Sequence, residues 1–399
     1  MSLRYKRQLW AAEQLITSYS IEEPLLVRLK KYFQANKKAG KRDRYIIQHL
    51  VYTYFRVAAF FDRNQTFNEI IAKANALLPS GIEELDHFLL QELNEQTDME
   101  TSAVYRNQHS FLNHFISNTN RSPLSSILSH LSTQIDKNQY AANLLSEQDV
   151  WIRVRSEHKA FVEDEFVQSG LMSERKCKND LAWCFAPKKS LTQTLSYSKG
   201  FFEIQDIQSQ NVFENLPKEL GNGTWLDCCC GSGGKSILFL QLFPKVQLFA
   251  SDIRTSILKN FDLRTHRSQT PIVRSFVHDF TQSTIPKMIS LESLSGIIAD
   301  VPCTGSGTWA RSPEQMYFFD ESSITEYAKR SFNIVSNASK LLRSGGVLVF
   351  ITCSVFKKEN EDQVADLCER LNFRIHSSNY LIGYLNRSDT LYTAILIKK

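Results

Sequence analysis

Long apolar runs are what this chain of 399 residues most clearly lacks. Its most apolar stretches, such as residues 346–353, fall far short of the roughly 20 residues that a membrane helix needs. The first ten residues, MSLRYKRQLW, carry charge with no apolar core after them, which is not typical of a signal peptide. We therefore expect a cytoplasmic protein that has no membrane partner.

Cys-x-x-Cys pairs are also absent, although the chain has eight cysteines. Cys228, Cys229 and Cys230 are consecutive, so on a strand they would point to alternate faces, which suits a zinc site poorly. A disulfide framework is typical of small secreted proteins, and this chain is large. We expect free thiols and no metal site, and some of the thiols are candidates for chemistry.

Charge gives a weaker indication, because the net charge of +5 is modest. Its distribution is uneven: residues 83–100 are rich in carboxylates, whereas cations concentrate in an earlier segment, which we call the basic segment. This segment contains Lys30, Lys31, Lys37, Lys38, Lys41, Arg42 and Arg44. A concentrated cationic face attracts polyanions such as nucleic acids. A solvated helix face remains the alternative interpretation.

Hydrophobic periodicity divides the chain into three parts. Residues 1–145 show apolar residues at helical spacing and predict an all-α domain. Residues 146–200 predict a small α/β connector, with a strand at 151–155 and a helix at 158–170. Residues 201–399 alternate strands with helices, which predicts a parallel, doubly wound sheet. The predicted strands there are 224–230, 246–252, 271–279, 295–303, 346–354 and 392–399, and the predicted helices include 231–243, 322–345 and 359–372.

Polar and glycine-rich residues follow several of these strands, where ligands bind in such sheets. The first strand leads from Asp227 into Gly231, Ser232, Gly233 and Gly234, and later strands end near Asp252, Asp279 and Asp300. An acid at the end of the second strand can bind ribose hydroxyls. The turn is neither a dinucleotide-binding fingerprint nor a Walker loop, which disfavours a dehydrogenase. A purely structural tight turn is the remaining alternative.

Two cysteines occupy comparable positions after buried strands. Cys303 lies in DVPCTGSGTWARSPE (300–314) and Cys353 in ITCSVFKKENE (351–361). A buried structural cysteine is the usual interpretation of a single thiol. Two thiols at neighbouring strand ends, each beside turn-forming residues, instead predict a shared reactive crevice.

These motifs resemble the RNA cytosine-5 methyltransferases of the Sun/RsmB/NSUN family. LDCCCGSGGKS (226–236) is similar to that family's cofactor loop, although the family usually has Ala-Pro in place of Gly231-Ser232. QDIQSQ (205–210) is similar to its QDxxS segment, and KRDRYIIQHLVYTYFR (41–56) resembles the NusB-like domain of its RsmB branch. The resemblance implies a Rossmann-like S-adenosylmethionine-dependent methyltransferase domain behind a NusB-like RNA-binding domain and a connector.

The same resemblance implies roles for individual residues. Cys353 would attack carbon-6 of cytosine, and Cys303 would assist product release. From its position one strand end from the thiols, Asp300 is a candidate for the contact with ring nitrogen-3. The cofactor S-adenosylmethionine would be bound by Cys229, Cys230, Gly231, Ser232, Gly233, Gly234, Lys235, Asp252, Asp279 and Asp300. Asp252 would bind the ribose and Asp279 the adenine, and Lys235 would contact the methionine carboxylate.

The implied substrate is structured RNA, with ribosomal RNA expected, and the protein is expected to be a monomer. Transfer RNA is an alternative substrate, and a noncatalytic RNA-binding or ribosome-assembly factor is an alternative function. Cytosine-5 DNA methyltransferases use the cysteine that follows proline as nucleophile. The presence of Cys353 in addition to Cys303 therefore argues against a DNA enzyme.

Overall fold

The chain forms two compact units in the computed structural model, which describes residues 2–61, 64–96, 111–112, 123–172, 176–177, 179–187 and 189–399. The helical unit comprises Met1–Ser146 and Trp309–Glu321. The α/β unit comprises Glu147–Thr308 and Ser322–Lys399. The predicted connector and the predicted site residues therefore share one unit. The division into three domains at 145 and 200 stays a prediction.

The helical unit is built from amphipathic helices. In its described part these are α1 (Ser2–Thr17), α2 (Leu25–Ala35), α3 (Lys41–Ala58), α4 (Phe67–Leu77), α5 (Glu83–Gln96), α6 (Pro123–Ser129), α7 (Lys137–Leu144) and the short helix Pro313–Tyr317. On α2, Leu25, Leu29 and Phe33 are buried at helical spacing. The buried guanidinium of Arg56 on α3 donates to the carbonyl of Ala310, 2.8 Å away. Such contacts place residues 309–321 in this unit, although the first of them belong to the Cys303 motif in sequence.

None of the helices in the described part of the chain is long and apolar enough to cross a membrane. The basic segment lies on α2, α3 and the turn between them, and Lys37, Lys38, Lys41, Arg42 and Arg44 are exposed. Arg42 pairs with Glu84 at 3.1 Å. The resemblance of this unit to NusB stays a prediction.

A small antiparallel sheet opens the α/β unit. Its strands β1 (Val150–Val154), β2 (Lys176–Cys177), β3 (Ala182–Phe185) and β4 (Phe202–Ile204) lie in the order β2-β3-β1-β4. Helix α8 (Lys159–Gln168) packs Phe166 against Trp183, Phe185 and Phe202. Short helices α9 (Leu195–Ser198) and α10 (Ile207–Asn211) flank β4.

The larger sheet has seven strands in the order β10-β11-β9-β8-β5-β6-β7. The strands are β5 (Thr224–Asp227), β6 (Gln247–Asp252), β7 (Arg274–Val277), β8 (Leu294–Asp300), β9 (Leu342–Thr352), β10 (Phe373–Leu381) and β11 (Leu391–Lys398). The helices between them are α11 (Gly234–Leu242), α12 (Thr255–Arg267), α13 (Ser322–Ala338) and α14 (Glu361–Arg370). This architecture confirms the predicted Rossmann-like fold.

The prediction of an entirely parallel sheet was wrong at one strand. β11 pairs antiparallel with both β9 and β10, whereas β5 to β9 pair in parallel. β10, absent from the predicted strands, is joined to β11 by a short connection. A parallel neighbour requires a crossover of a dozen or more residues, so the short connection forces an antiparallel pair.

Several predicted boundaries also differ. The strand predicted over 224–230 ends at Asp227, and the one over 271–279 spans only Arg274–Val277. The helix predicted to reach 345 ends at Ala338, and β9 begins at Leu342. Gly345, with φ of 72°, lies within an irregular part of β9 where the register with β8 shifts. Gly345 therefore lies inside a strand and is not the C-terminal cap of a helix.

The core lies on both faces of the larger sheet, because successive strand residues point to opposite sides. On β9, Leu348 and Phe350 face the side covered by α13 and α14, whereas Val347, Val349 and Ile351 face the side covered by α11. The two apolar layers fix the sheet between its helices. The carboxyl ends of the parallel strands then form one edge, where the predicted site residues meet.

Candidate active site

The glycine-rich turn connects β5 to α11 and approaches the end of β6. The Gly231 amide donates to the Asp252 carboxylate at 3.2 Å, and the Cys230 amide donates to the carbonyl of Ser251 at 2.9 Å. Gly233 adopts φ of 89°, and a Cβ there would approach the Phe261 ring to 2.8 Å. Glycine is therefore required at Gly233 by both backbone conformation and packing.

Asp252 ends β6 beside this turn, as predicted for a ribose-binding acid. Its carboxylate also accepts from the Arg254 amide at 2.9 Å and from the Arg254 guanidinium at 3.0 and 3.1 Å. Burial favours a raised pKa for Asp252, but the hydrogen bonds from Arg254 and Gly231 outweigh it and hold the pKa below its ordinary value. The carboxylate is therefore anionic at neutral pH.

Asp227, at the end of β5, is almost fully buried below the turn. Its carboxylate accepts from the Ser236 hydroxyl at 2.6 Å and from the Cys229 amide at 3.3 Å. Burial raises its pKa to about 7, with a further upward contribution from Asp300 and an opposing one from Ser236. Asp227 thus connects the glycine-rich loop to the start of α11 by hydrogen bonds. Its position at a strand end did not predict this role.

Lys235 and Asp300 form an ion pair at the centre of the edge. The ammonium of Lys235 lies 2.7 Å from a carboxylate oxygen of Asp300. Burial would lower the pKa of Lys235, but the negative charge of Asp300, its hydrogen bond and the nearby Cys353 raise it overall. Lys235 therefore carries a positive charge next to Cys353. The structure places Lys235 against Asp300 and does not show it free to hold a cofactor carboxylate.

The two predicted cysteines meet at this edge, with their sulfur atoms 3.4 Å apart. Cys303 follows β8 and Cys353 follows β9, which are neighbouring parallel strands. The hydrogen bond with Cys353 raises the pKa of Cys303 strongly, and burial adds to the effect. Cys303 therefore keeps its proton. The two cysteines are free thiols in contact and do not form a disulfide.

The loops carrying these thiols are joined by several hydrogen bonds. The Gly307 amide donates to the carbonyl of Cys353 at 2.8 Å, and a Cβ at Gly307 would lie 1.9 Å from the carbonyl oxygen of Thr390. The buried carboxylate of Glu359 accepts from both loops, through Thr304 and Ser354. The sequence predicted a helix that begins at residue 359, but no local pattern reveals that Glu359 has a partner 55 residues away.

The remaining predicted cofactor residues are placed less centrally. The hydroxyl of Ser232 accepts from Arg264 at 3.1 Å, and Cys230 packs in a small apolar cluster with Ala250, Leu258 and Phe261. Asp279 lies beyond the end of β7 and accepts from the amide of Thr281 within its own turn. Gly234 begins α11, and its carbonyl accepts from the side chain of Gln205 at 3.2 Å. In the described residues, no group of His, Cys, Asp or Glu is arranged to hold a metal ion.

A comparison with known protein families finds a match in this part of the chain. Residues 216–381 match the family of the 16S rRNA methyltransferase RsmB/F. This matched stretch, less than half of the chain, is therefore similar to an RsmB/F-family methyltransferase domain. This confirms the resemblance to the Sun/RsmB family that the cysteine motifs suggested, whereas the NusB-like part of the resemblance is not tested.

Curated relatives are similar over about half of the chain. Ribosomal RNA small subunit methyltransferase B of Serratia proteamaculans is 26% identical over 226 residues, covering 55% of this chain and 51% of the relative. The protein of the same description from Shewanella oneidensis is 28% identical over 185 residues, covering 46% and 42%. The chain thus spans about half the length of the curated relatives that it matches.

Solved structures share the fold. PH0851 matches with a TM-score of 0.71 at 17% identity and covers 98% of both chains. NSun6 from Pyrococcus horikoshii, solved with SFG, matches with a TM-score of 0.58 at 16% identity, covering 68% of this chain and 97% of that one. At these identities the likeness concerns the fold alone.

S-adenosylmethionine is the cofactor of an RsmB/F-family methyltransferase domain, as predicted, and the residues of the site fit it. A Cβ built on Gly231, which has φ of 52°, would meet no atom within 4 Å, so the turn opens onto free space. The anionic Asp252 beside it suits ribose hydroxyls, which are hydrogen-bond donors. Which residues contact the cofactor stays a prediction for the whole predicted set.

Proposed function

We propose that this chain is an S-adenosylmethionine-dependent RNA cytosine-5 methyltransferase that acts through a covalent bond between Cys353 and carbon-6 of the target base. The observation that carries the proposal is the pair of thiols 3.4 Å apart beside the Lys235–Asp300 ion pair, in an RsmB/F-family domain. Two thiols suit a reaction in which one sulfur must attack and another group must take a proton.

The chemistry requires a strong nucleophile, because carbon-5 of cytosine is itself a poor one. Addition of the Cys353 thiolate to carbon-6 forms a carbon–sulfur bond and turns carbon-5 into an enamine-like centre. S-adenosylmethionine, when bound, supplies the electrophilic methyl group that carbon-5 accepts. Cys353 attacks as the thiolate, after its proton has passed to solvent. On addition, ring nitrogen-3 takes up a proton from solvent, and Asp300 would accept a hydrogen bond from that N–H while paired with Lys235.

Release requires a base at carbon-5, and the environment of Cys303 suits this second step. Before attack, the hydrogen bond with Cys353 holds the pKa of Cys303 high and keeps it protonated. Once Cys353 is bonded to carbon-6 it carries no charge, so the main cause of that raised pKa disappears. Cys303 can then lose its proton to solvent and accept the carbon-5 proton. The carbon–sulfur bond to Cys353 breaks as the carbon-5 to carbon-6 double bond re-forms, and ring nitrogen-3 returns its proton to solvent.

The proposed substrate is ribosomal RNA, because the curated relatives are described as small-subunit rRNA methyltransferases. The target base must leave any stacked helix to reach Cys353, so an unpaired base in structured RNA is favoured. The basic segment of the helical unit is the proposed contact for RNA phosphates. We further expect the protein to work as a cytoplasmic monomer.

The test is methyl transfer from labelled S-adenosylmethionine to purified small-subunit rRNA, transfer RNA and duplex DNA. Bisulfite sequencing of RNA from cells with and without the gene then locates any modified cytosine. Label in rRNA, with one cytosine losing protection in the deletion strain, supports the proposal. Label confined to transfer RNA would show that transfer RNA, and not ribosomal RNA, is the substrate. Binding of RNA with no transfer to any of the three would favour a noncatalytic assembly factor.

A further inference from the structure

One buried carboxylate holds both cysteine loops at the same time. Glu359 is 2% exposed and lies in the turn that precedes α14. It accepts from the amide of Thr304 at 2.8 Å, from the hydroxyl of Thr304 at 2.6 Å and from the hydroxyl of Ser354 at 2.5 Å. Thr304 directly follows Cys303 and Ser354 directly follows Cys353. Glu359 therefore links the two residues that flank the thiols.

Neighbouring hydroxyls extend the same link. The Ser306 hydroxyl lies 3.1 Å from that of Ser354 and accepts from the amide of Val355 at 2.9 Å. The hydrogen bonds of Glu359 are made with Thr304 and Ser354, and none of them reaches a sulfur atom. The negative charge of Glu359 helps to raise the pKa of Cys303, but its effect on the positions of the two thiols passes through the loop backbones.

An ionised carboxylate matches these partners better than an amide would. Three hydrogens point at Glu359, and a carboxylate accepts all of them because it has no hydrogen of its own. A glutamine would direct its NH₂ group either at the Thr304 amide, which can only donate, or at two hydroxyls that would have to rotate. Charge-assisted hydrogen bonds are also the stronger kind.

We propose that Glu359 is a positioning residue that sets the separation and relative orientation of Cys303 and Cys353, and so couples attack and release. The proposal rests on the proposed function for its catalytic consequence. Its structural part, the spacing of two thiols, is independent of any substrate. Displacement of one loop by about 1 Å is enough to lower the rate of a positioned reaction about a hundredfold.

The first experiment measures that spacing without RNA or cofactor. The full-length protein is treated with azodicarboxamide, whose nitrogen–nitrogen double bond takes up two hydrogens as the two thiols become a disulfide. Peptide mass spectrometry then follows the Cys303–Cys353 crosslink. We expect Glu359→Gln to slow this crosslink about tenfold or more, since hydrogen bonds to charged groups contribute enough energy for such a change. Glu369→Gln, the same substitution at an exposed position of α14, is the matched control.

The second experiment measures the catalytic consequence in single-turnover methylation with S-adenosylmethionine and small-subunit rRNA. Glu359→Gln should lower the rate of adduct formation about tenfold or more, with the cofactor affinity measured by calorimetry unchanged. If the variant does not fold, Thr304→Val and Thr304→Ser replace it, because serine keeps the hydroxyl that valine removes. Serine should then restore most of the crosslinking rate that valine loses.

Crosslinking by folded Glu359→Gln within twofold of the wild type would overturn the proposal, as would equal rates for Thr304→Val and Thr304→Ser. A slow crosslink together with no methylation of any RNA by the wild type would retain the positioning role and reject the proposed function. A slow crosslink with unchanged adduct formation would show that the spacing does not limit attack, and would overturn the coupling part of the proposal.

Discussion

Replacement of Cys303 by alanine should trap the protein on its RNA. The sulfur of Cys303 lies 3.4 Å from that of Cys353, so it is well placed to take the proton from carbon-5 once Cys353 is bonded to carbon-6. Alanine leaves Cys353 and the Lys235–Asp300 pair in place but removes the proposed base. Attack and methyl transfer should continue, and release should stall.

The size of the effect follows from the role assigned to Cys303. Loss of a positioned general base typically costs about 10² to 10⁴-fold in rate. The lifetime of the adduct should therefore rise by about the same factor, long enough for the protein–RNA complex to survive denaturation. The assay is a denaturing gel with end-labelled RNA in the presence of S-adenosylmethionine, in which the adduct appears as a slow band.

Three comparisons make the assay decisive. Cys353→Ala should give neither a band nor methylation, and the double variant should give no band, because the trapped species needs the nucleophile. Cys368→Ala, a partly exposed cysteine of α14, is the matched control and should behave as the wild type. A band in Cys353→Ala and none in Cys303→Ala would reverse the assignment and refute the reasoning above.

Three further predictions address the cofactor, the RNA and the pH dependence. Asp252→Ala should weaken S-adenosylmethionine binding by about tenfold or more, because a charged acceptor is lost, and calorimetry showing equal affinity would remove Asp252 from the site. Alanine at Lys37, Lys38 and Lys41 together should flatten the log–log salt dependence of RNA binding by about 0.7–0.9 per phosphate contact, whereas an unchanged slope would make this an ordinary solvated face. Burial raises the pKa of Asp227 to about 7, so its proton stabilises the fold at acid pH and that contribution is lost as pH rises toward 7. Asp227→Asn should therefore lose part of the difference in urea midpoint between pH 5 and pH 8, and an unchanged difference would contradict the raised pKa.

The sequence alone determined the parts of this protein that depend on local pattern. Strands β5, β6, β8 and β9 are apolar along most of their length. Successive side chains point to opposite faces of the sheet, and each face is covered by an apolar layer. The placement of Asp252 beside the glycine turn follows from the same logic, since parallel strands end at one edge. The motifs around Cys303 and Cys353 likewise led to the RsmB/F family, which the comparison confirmed.

Tertiary structure alone decided which of these groups act on one another. The antiparallel position of β11 depends on a connection whose strand partner β10 was not predicted. The pairing of Lys235 with Asp300, 65 residues away, and of Glu359 with Thr304, 55 residues away, has no local signature. Such contacts arise only when the packed sheet brings distant loops together, because a buried charge must find its partners wherever the fold places them.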